Sequence, residues 1–177
     1  KPVQGNQEVL NKEITGVDLG QARKTLLFWL IGIGLAILAA ISTGFTFHIA
    51  AIGEQAGISL DKAIAIFIPI SFIAIPVSFI GSWVSNRVPA FFYILTLALG
   101  EIIAFISIYF LNSDLGYMGA IIGMGIAGGL MGPIISTIIP KLFGRKHLGS
   151  INGAVTSLTV IGSALGPVLL SVVNDLS

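Results

Sequence analysis

The chain has 177 residues; 55% belong to the apolar set AVILMFWYC, only 10% are Asp, Glu, Lys or Arg, and mean hydropathy is +0.99. A soluble domain carries about 25% charged residues, so these charges are too few to cover a soluble surface, and lipid is the natural solvent of most of the chain. A net charge of +1 gives no reason to expect a nucleic-acid partner, and the lack of cysteine excludes disulfides and thiol chemistry.

Residues 1–24 are polar and mixed in charge, with no apolar run of the signal-peptide kind. They read as a cytoplasmic linker, and residues 25–177 as a membrane domain. A helix that crosses the hydrocarbon needs about 20 mostly apolar residues. Five stretches qualify: 26–52, 63–84, 90–111, 116–139 and 151–173. The fold class predicted is all-α, a polytopic membrane helical bundle of five transmembrane helices.

Each stretch carries its own signals. In the first, Ser42, Thr43, Thr46 and His48 cluster toward one end, together with Phe45 and Phe47. Phe45 and His48 are three apart and share a helical face. A histidine there can relay protons, or sit as a wetted ring at the interface. The second stretch holds Pro69 and Pro76, each of which removes an amide donor and favours a kink. The third holds Glu101, the one charged residue deep in any span. An intramembrane carboxylate is costly; it serves either as a proton-coupling group or as a neutral, hydrogen-bonded acid.

The fourth stretch is crowded with glycine and contains Pro133. GxxxG spacing occurs at 119/123, 125/129 and 128/132, and again at 149/153 and 162/166 around the fifth stretch. Small residues four apart flatten one face of a helix and let another backbone approach, so Gly125, Gly129, Gly132, Gly162 and Gly166 are candidate packing residues. Smooth faces of this kind serve static packing and also the rocking of helices that alternating access requires. In the fifth stretch, which contains Pro167, Asn152, Thr156, Thr159 and Ser163 are spaced 4, 3 and 4 apart and form one polar stripe. Lipid offers such a stripe no partners. It lines an aqueous cavity, bonds a neighbouring helix, or bonds its own preceding carbonyls.

Basic residues alternate between the two sides. Lys1, Lys12, Arg23, Lys24, Arg87, Lys141, Arg145 and Lys146 fall on one side, and Lys62 alone on the other. Lys and Arg are retained in the cytoplasm, so the N-terminus is expected there and the C-terminus outside. The run "IPKLFGRKHLGSINGA", residues 139–154, contains a cytoplasmic loop. The expected location is the bacterial inner (cell) membrane. His48 and His147 lie on opposite sides and cannot share a metal. The spans contain no HExxH, no paired aspartates, no nucleophile beside a histidine and carboxylate, and no GK[ST] after the glycines. Neither metal, cofactor nor catalysis is expected.

Several segments together resemble the major facilitator superfamily. "GSWVSNRV", residues 81–88, is similar to its cytoplasmic signature, with Gly81, Ser82, Asn86 and Arg87 at the signature positions. The family's aspartate falls on Asn86 and its glycine on Ser82. Residues 139–154 resemble the loop between spans ten and eleven, and "GSALGPVL", residues 162–169, resembles span eleven. "FWLIGIGLAILAAISTGFTFHIAAIGEQAG", residues 28–57, is similar to a seventh span of the branch holding oxalate/formate antiporters and monocarboxylate transporters.

The resemblance implies that the five helices correspond to spans 7–11 of a twelve-span fold, that residues 1–24 match the central loop, and that the twelfth span and the N-terminal half are missing partners. It also implies that spans seven, eight, ten and eleven line a cavity while the ninth lies outside. Phe45, Thr46, His48, Asn152, Thr156, Thr159 and Ser163 would then be substrate or cavity residues, and Glu101 and His48 the candidates for proton coupling. The function implied is secondary active transport, by symport or antiport, of a small organic solute such as a carboxylate. No Lys or Arg lies in the spans that match eight and eleven, where that branch places a cation for its anionic substrate. A non-transport membrane scaffold that packs through its glycine faces is the alternative.

Overall fold

Capping side chains set where the spans begin. In the computed structural model, which describes residues 15–175 and side chains as far as Val172, Thr25, Ser59 and Ser113 each turn a hydroxyl onto an orphan amide of the helix that follows. The amides belong to Phe28, Lys62 and Gly116, at 3.3, 3.3 and 3.0 Å. Asp18 accepts from Gln21 N–H at 2.8 Å in the same way.

The elements are α1 (Leu19–Ala22), α2 (Leu26–Gln55), α3 (Leu60–Ala65), α4 (Phe67–Val84), α5 (Ala90–Tyr109) and α6 (Asp114–Pro133). A π-helical turn (Ile134–Ile138) joins α6 to α7 (Ile139–Phe143), and α8 (Leu148–Asp175) ends the described chain. Five helical stretches are long and apolar enough to cross a membrane: α2, α3 with α4, α5, α6 through α7, and α8. They coincide with the five expected spans. Most run a few residues beyond the apolar blocks because caps and first turns are polar. The first 14 residues of the expected linker lie outside the described residues. The 30 residues of α2 extend about 45 Å, more than the roughly 30 Å of hydrocarbon, so the helix tilts or protrudes.

Proline explains the irregularities. The second span breaks at Ile66, three residues before Pro69, because a proline fits the first turn of a helix and not its interior. Pro133 cannot donate to the Gly129 carbonyl, and the helix widens into the π-turn just after it. Pro167 likewise leaves the Ser163 carbonyl without its helical donor. Thr43 Oγ1 reaches across from α2 to within 3.1 Å of that carbonyl and shares its one proton between it and the Ala39 carbonyl of its own helix. One turn further on, His48 Nε2 lies 3.0 Å from the Pro167 carbonyl. A carbonyl only accepts, so this contact selects the Nε2-protonated tautomer.

Packing runs through backbone contact. α8 lies along α2, and α4 and α5 each lie along α6. A Cβ built on Gly162 would stand 2.1 Å from the Ala36 carbonyl oxygen, and one on Gly166 equally close to that of Ala40. On α6, a Cβ on Gly123 would meet the Ala104 nitrogen at 2.5 Å. On Gly125 it would meet Ile73 Cβ at 2.6 Å, and on Gly129 the Ala74 oxygen at 2.6 Å. Gly132 is looser, 3.4 Å from Ser78 Oγ, while Gly128, Gly149 and Gly153 face open space. The fourth span is the hub: 56% of its most apolar window is buried, against 11% for the second. Large apolar side chains such as Leu115, Phe47 and Phe72 point outward, which is tolerable only against lipid.

Two apolar cores stack along the bundle. Near the 143–147 loop, Phe28, Ile31, Ile138, Ile139, Ile151 and Val155 pack together. Toward the α3 end, Phe45, Ile66, Ala104, Leu111, Ile121 and Met124 do the same. The loop end is tied further. Lys141 Nζ donates to the Ser85 and Val88 carbonyls at 2.7 and 3.2 Å, capping the end of α4. Gly16 pairs with Gly144, and Gly144 has φ +77°, with Thr15 O only 2.4 Å from where a Cβ would sit, so a larger residue does not fit.

Gly162→Ala is expected to lower stability by about 1–3 kcal/mol, the cost of overpacking. Gly153→Ala, with nothing within 4 Å of the new Cβ, should be neutral or slightly stabilising. Reversible unfolding in detergent micelles measures both, and equal losses would contradict the packing described. Thr43→Val removes the donor to Ser163 and should cost about 1–2 kcal/mol. Thr96→Val, which loses only a bond to its own helix at Phe92, is expected to stay within about 0.5 kcal/mol in the same assay. Equal effects would show that the proline-freed carbonyl does not need Thr43.

Candidate functional site

Hollows among the described residues differ in their linings. One of about 650 Å³ opens between α2, α5 and α8 and is lined by groups such as Ile41, Phe105, Tyr109 and Leu169. A second, about 220 Å³, lies against α4 and α5 around Val77, Phe92 and Leu130. Both are almost wholly apolar and offer little to orient a polar solute. The third, about 280 Å³, lies where α2, α4, α5 and α6 meet and is more polar. Ser42, Thr46 and Glu101 line it beside Phe67, Ile70, Met124 and Gly128. Apolar walls with a few convergent polar groups are the usual make-up of a small-molecule site.

Glu101 dominates this pocket. Its residue is 7% exposed, and its Oε1 is buried with no hydrogen-bond partner among the described residues. The backbone of Leu38 on α2 approaches the carboxyl from the facing helix. Thr46 is exposed at the pocket mouth, and its hydroxyl donates to the Ser42 carbonyl at 2.7 Å. Gly128, also exposed, leaves the α6 side open, since a Cβ there would touch nothing within 4 Å. Sequence inspection grouped Ser42 with Thr46 and His48 without giving it a role, and it read Gly128 only as a packing residue. Ser42 lies one turn before Thr46 on the same face of α2, which is the signal that pointed to it.

The other sequence-derived candidates are distributed more widely. Phe45 is fully buried, edge-on to Phe67 with ring centroids 5.9 Å apart, and helps wall the core rather than the pocket. His48 is half-buried and turned to α8. The two are three residues apart on α2, yet they meet different neighbours. On α8, Thr156 is exposed, and Asn152, Thr159 and Ser163 are half-buried. The Asn152 Oδ1 is buried without a partner among the described residues, and the Thr159 hydroxyl donates to its own helix at Val155, 3.0 Å. The stripe therefore divides. Thr159 and Ser163 continue the ridge begun by buried Ile151 and Val155, four residues apart each time, while Thr156 stands on the open side near Gly149 and Gly153.

The loop-end signature forms a separate cluster. Gly81 is buried against Pro133 of α6, its carbonyl accepting from the Tyr93 hydroxyl. The Ser82 carbonyl accepts from Ser85 Oγ at 2.8 Å. Asn86 is exposed, and the Arg87 guanidinium lies 4.8 Å from the Trp83 ring centroid, a cation–π contact. This cluster sits at the end of the bundle where Lys141 caps α4, away from the Glu101 pocket. Sequence reasoning assigned Lys141 only to loop charge.

The chemistry available is binding and proton exchange. No group of three or more His, Cys, Asp or Glu side chains able to hold a metal occurs among the described residues. Comparison with known proteins agrees with this membrane architecture. No curated protein and no solved structure gives a significant match to the chain. The sequence profile described as Major Facilitator Superfamily matches residues 2–167, nearly the whole length. The chain is a member of the Major Facilitator Superfamily, a family of membrane transporters.

Proposed function

We propose that this five-span bundle is the C-terminal half of a secondary active transporter, moving a small organic solute by rocking against a second bundle. The observation that carries the proposal is the polar pocket at the meeting of α2, α4, α5 and α6, bounded by a wall of apolar helices. Where α8 meets α2 and α6 meets α4, glycines let the helices approach to backbone contact, which supports each pair moving as one body. Thr46 on α2, Gly128 on α6 and Gly149, Gly153 and Thr156 on α8 are the open positions, and we place the solute path along them.

The solute is small and organic. The pocket lining contains no Lys or Arg. A carboxylate, as carried by the oxalate/formate and monocarboxylate branch, would therefore take its countercharge from the second bundle. The distribution of eight basic residues on one side and one on the other supports a cytoplasmic N-terminus and an external C-terminus in the bacterial inner membrane. In that orientation the 81–88 turn and the 143–147 loop form the cytoplasmic end, with Lys141 and the Gly16–Gly144 pairing holding it together.

Thr156→Leu in the full-length protein is expected to cut uptake about tenfold, the effect of losing about 1.4 kcal/mol of solute or transition-state binding. Uptake across a panel of small organic acids and neutral solutes, normalised to membrane-inserted protein, measures it. Normal uptake with normal expression would remove Thr156 from the path.

A further inference from the structure

Two helices that rest on a third leave a groove between them. α4 and α5 each lie along α6, and contact between α4 and α5 themselves is slight. The hollow of about 220 Å³ is this groove, at the end of the bundle that carries the 81–88 turn. Ile80 and Val84 of α4 form one wall, Phe92 and Thr96 of α5 the other, and Leu130 of α6 the floor. Ile80 and Phe92 are more than half exposed, so the groove opens outward. Its polar groups are already used. The Tyr93 hydroxyl donates to the Gly81 carbonyl, and the Thr96 hydroxyl donates to the Phe92 carbonyl at 2.7 Å. A polar solute finds no free partner there, and a hydrocarbon chain needs none.

Positive charge stands at the mouth. Val84 and Val88 line the groove where it meets the turn, and Arg87 lies beside Val88. Trp83, one turn on from Ile80, is exposed at the rim, with the Arg87 guanidinium 4.8 Å from its ring centroid. An aromatic ring with a polar edge is a marker of the boundary between hydrocarbon and headgroups. Lys141 adds a second cation at the same turn, on the Ser85 and Val88 carbonyls. Residues 63–100 and 115–145, which supply the walls, the floor and the turn, contain no Asp or Glu. Arg87 has no acidic partner among the described residues.

We propose that the groove between α4 and α5 holds an acyl chain of an anionic phospholipid, with the lipid's phosphate on Arg87. The charge selects the headgroup. A zwitterionic headgroup carries its own cation, which Arg87 and Lys141 repel, whereas the headgroup of phosphatidylglycerol is anionic and carries none. The guanidinium gives paired N–H donors to the phosphate oxygens along its edge while its face stays on Trp83. The size selects the tail. A helix with its side chains is about 10 Å across and too wide for this hollow, while a single hydrocarbon chain fits it. The bound chain bridges two helices that otherwise meet chiefly through α6.

The test involves no solute and is independent of the transporter reading. The full-length protein in a mild detergent is mixed with phosphatidylglycerol or phosphatidylcholine of identical chains, and retained lipid is read by native mass spectrometry. Phosphatidylglycerol should be retained about fivefold better, the effect of one basic residue on an anionic headgroup. Arg87→Gln should bring the two lipids level, and Arg87→Lys should keep part of the preference. Thr96→Phe fills the groove and leaves Arg87 in place; it should lower phosphatidylglycerol retention, while Ile102→Phe, elsewhere on the exposed side of α5, should not. Glycerophosphoglycerol, the headgroup without chains, should not displace the lipid. In nanodiscs, phosphatidylglycerol with a diazirine in one chain should crosslink to residues 77–84 and 92–96 of the unmodified protein ahead of other exposed helix segments. Equal retention of the two lipids, retention unchanged in Arg87→Gln or Thr96→Phe, or displacement by the chain-free headgroup would each overturn the proposal. So would crosslinks spread evenly over the helices, or absent from the groove because another helix covers it. The crosslinking arm uses no variant and stands even if Arg87→Gln fails to fold.

Discussion

Hydrocarbon offers no hydrogen bonds, and this constraint organises the whole molecule. Every backbone group freed inside a span must find its partner within the protein. Pro167 shows the consequence. It withholds a donor from the Ser163 carbonyl, and Thr43 on the neighbouring helix offers one that it shares with its own Ala39 carbonyl. Pro133 is followed by a widened turn, where Thr137 donates back to the Pro133 carbonyl at 2.6 Å. Lys141 caps the carbonyls at the end of α4. The Thr43 and Lys141 contacts also hold helix to helix, so there the repair of a helix and the assembly of the bundle use the same groups.

The same solvent removes the hydrophobic drive between helices, and close contact of small residues takes its place. Gly162 and Gly166 let α8 touch the α2 backbone, and Gly123, Gly125 and Gly129 let α6 touch two neighbours. Where such glycine rows are lacking, between α2 and α5, larger side chains hold the helices further apart and a pocket remains. The one buried carboxyl of the spans sits at that gap.

Much of this was legible in the sequence. The five spans follow from hydropathy alone, and the glycine rows at 125/129 and 162/166 marked faces where helices meet. Glu101 stood out because charge deep in a span is costly. Other features depended on tertiary placement. Phe45 and His48 sit about 60° apart around α2, close enough to share a face, yet a boundary between two neighbouring helices falls between them. The third span was expected on the periphery; Phe91, Phe92 and Phe105 are exposed on it, while Glu101 occupies a buried side. Pro167 could have revealed Thr43, since a proline predicts an orphan carbonyl four residues earlier, but only the fold shows which helix answers. Lys141 looked like topological charge because nothing local links it to Ser85 and Val88, more than fifty residues away.

Everything depends on five rods whose ends alternate between two aqueous compartments. The most direct measurement places single cysteines in the otherwise cysteine-free chain at Gly57, Asn112, Asn86 and Lys146, then exposes intact cells to a membrane-impermeant maleimide. The account predicts labelling at Gly57 and Asn112 from outside, and at Asn86 and Lys146 only after the membrane is opened. Labelling of all four from the same face would contradict it.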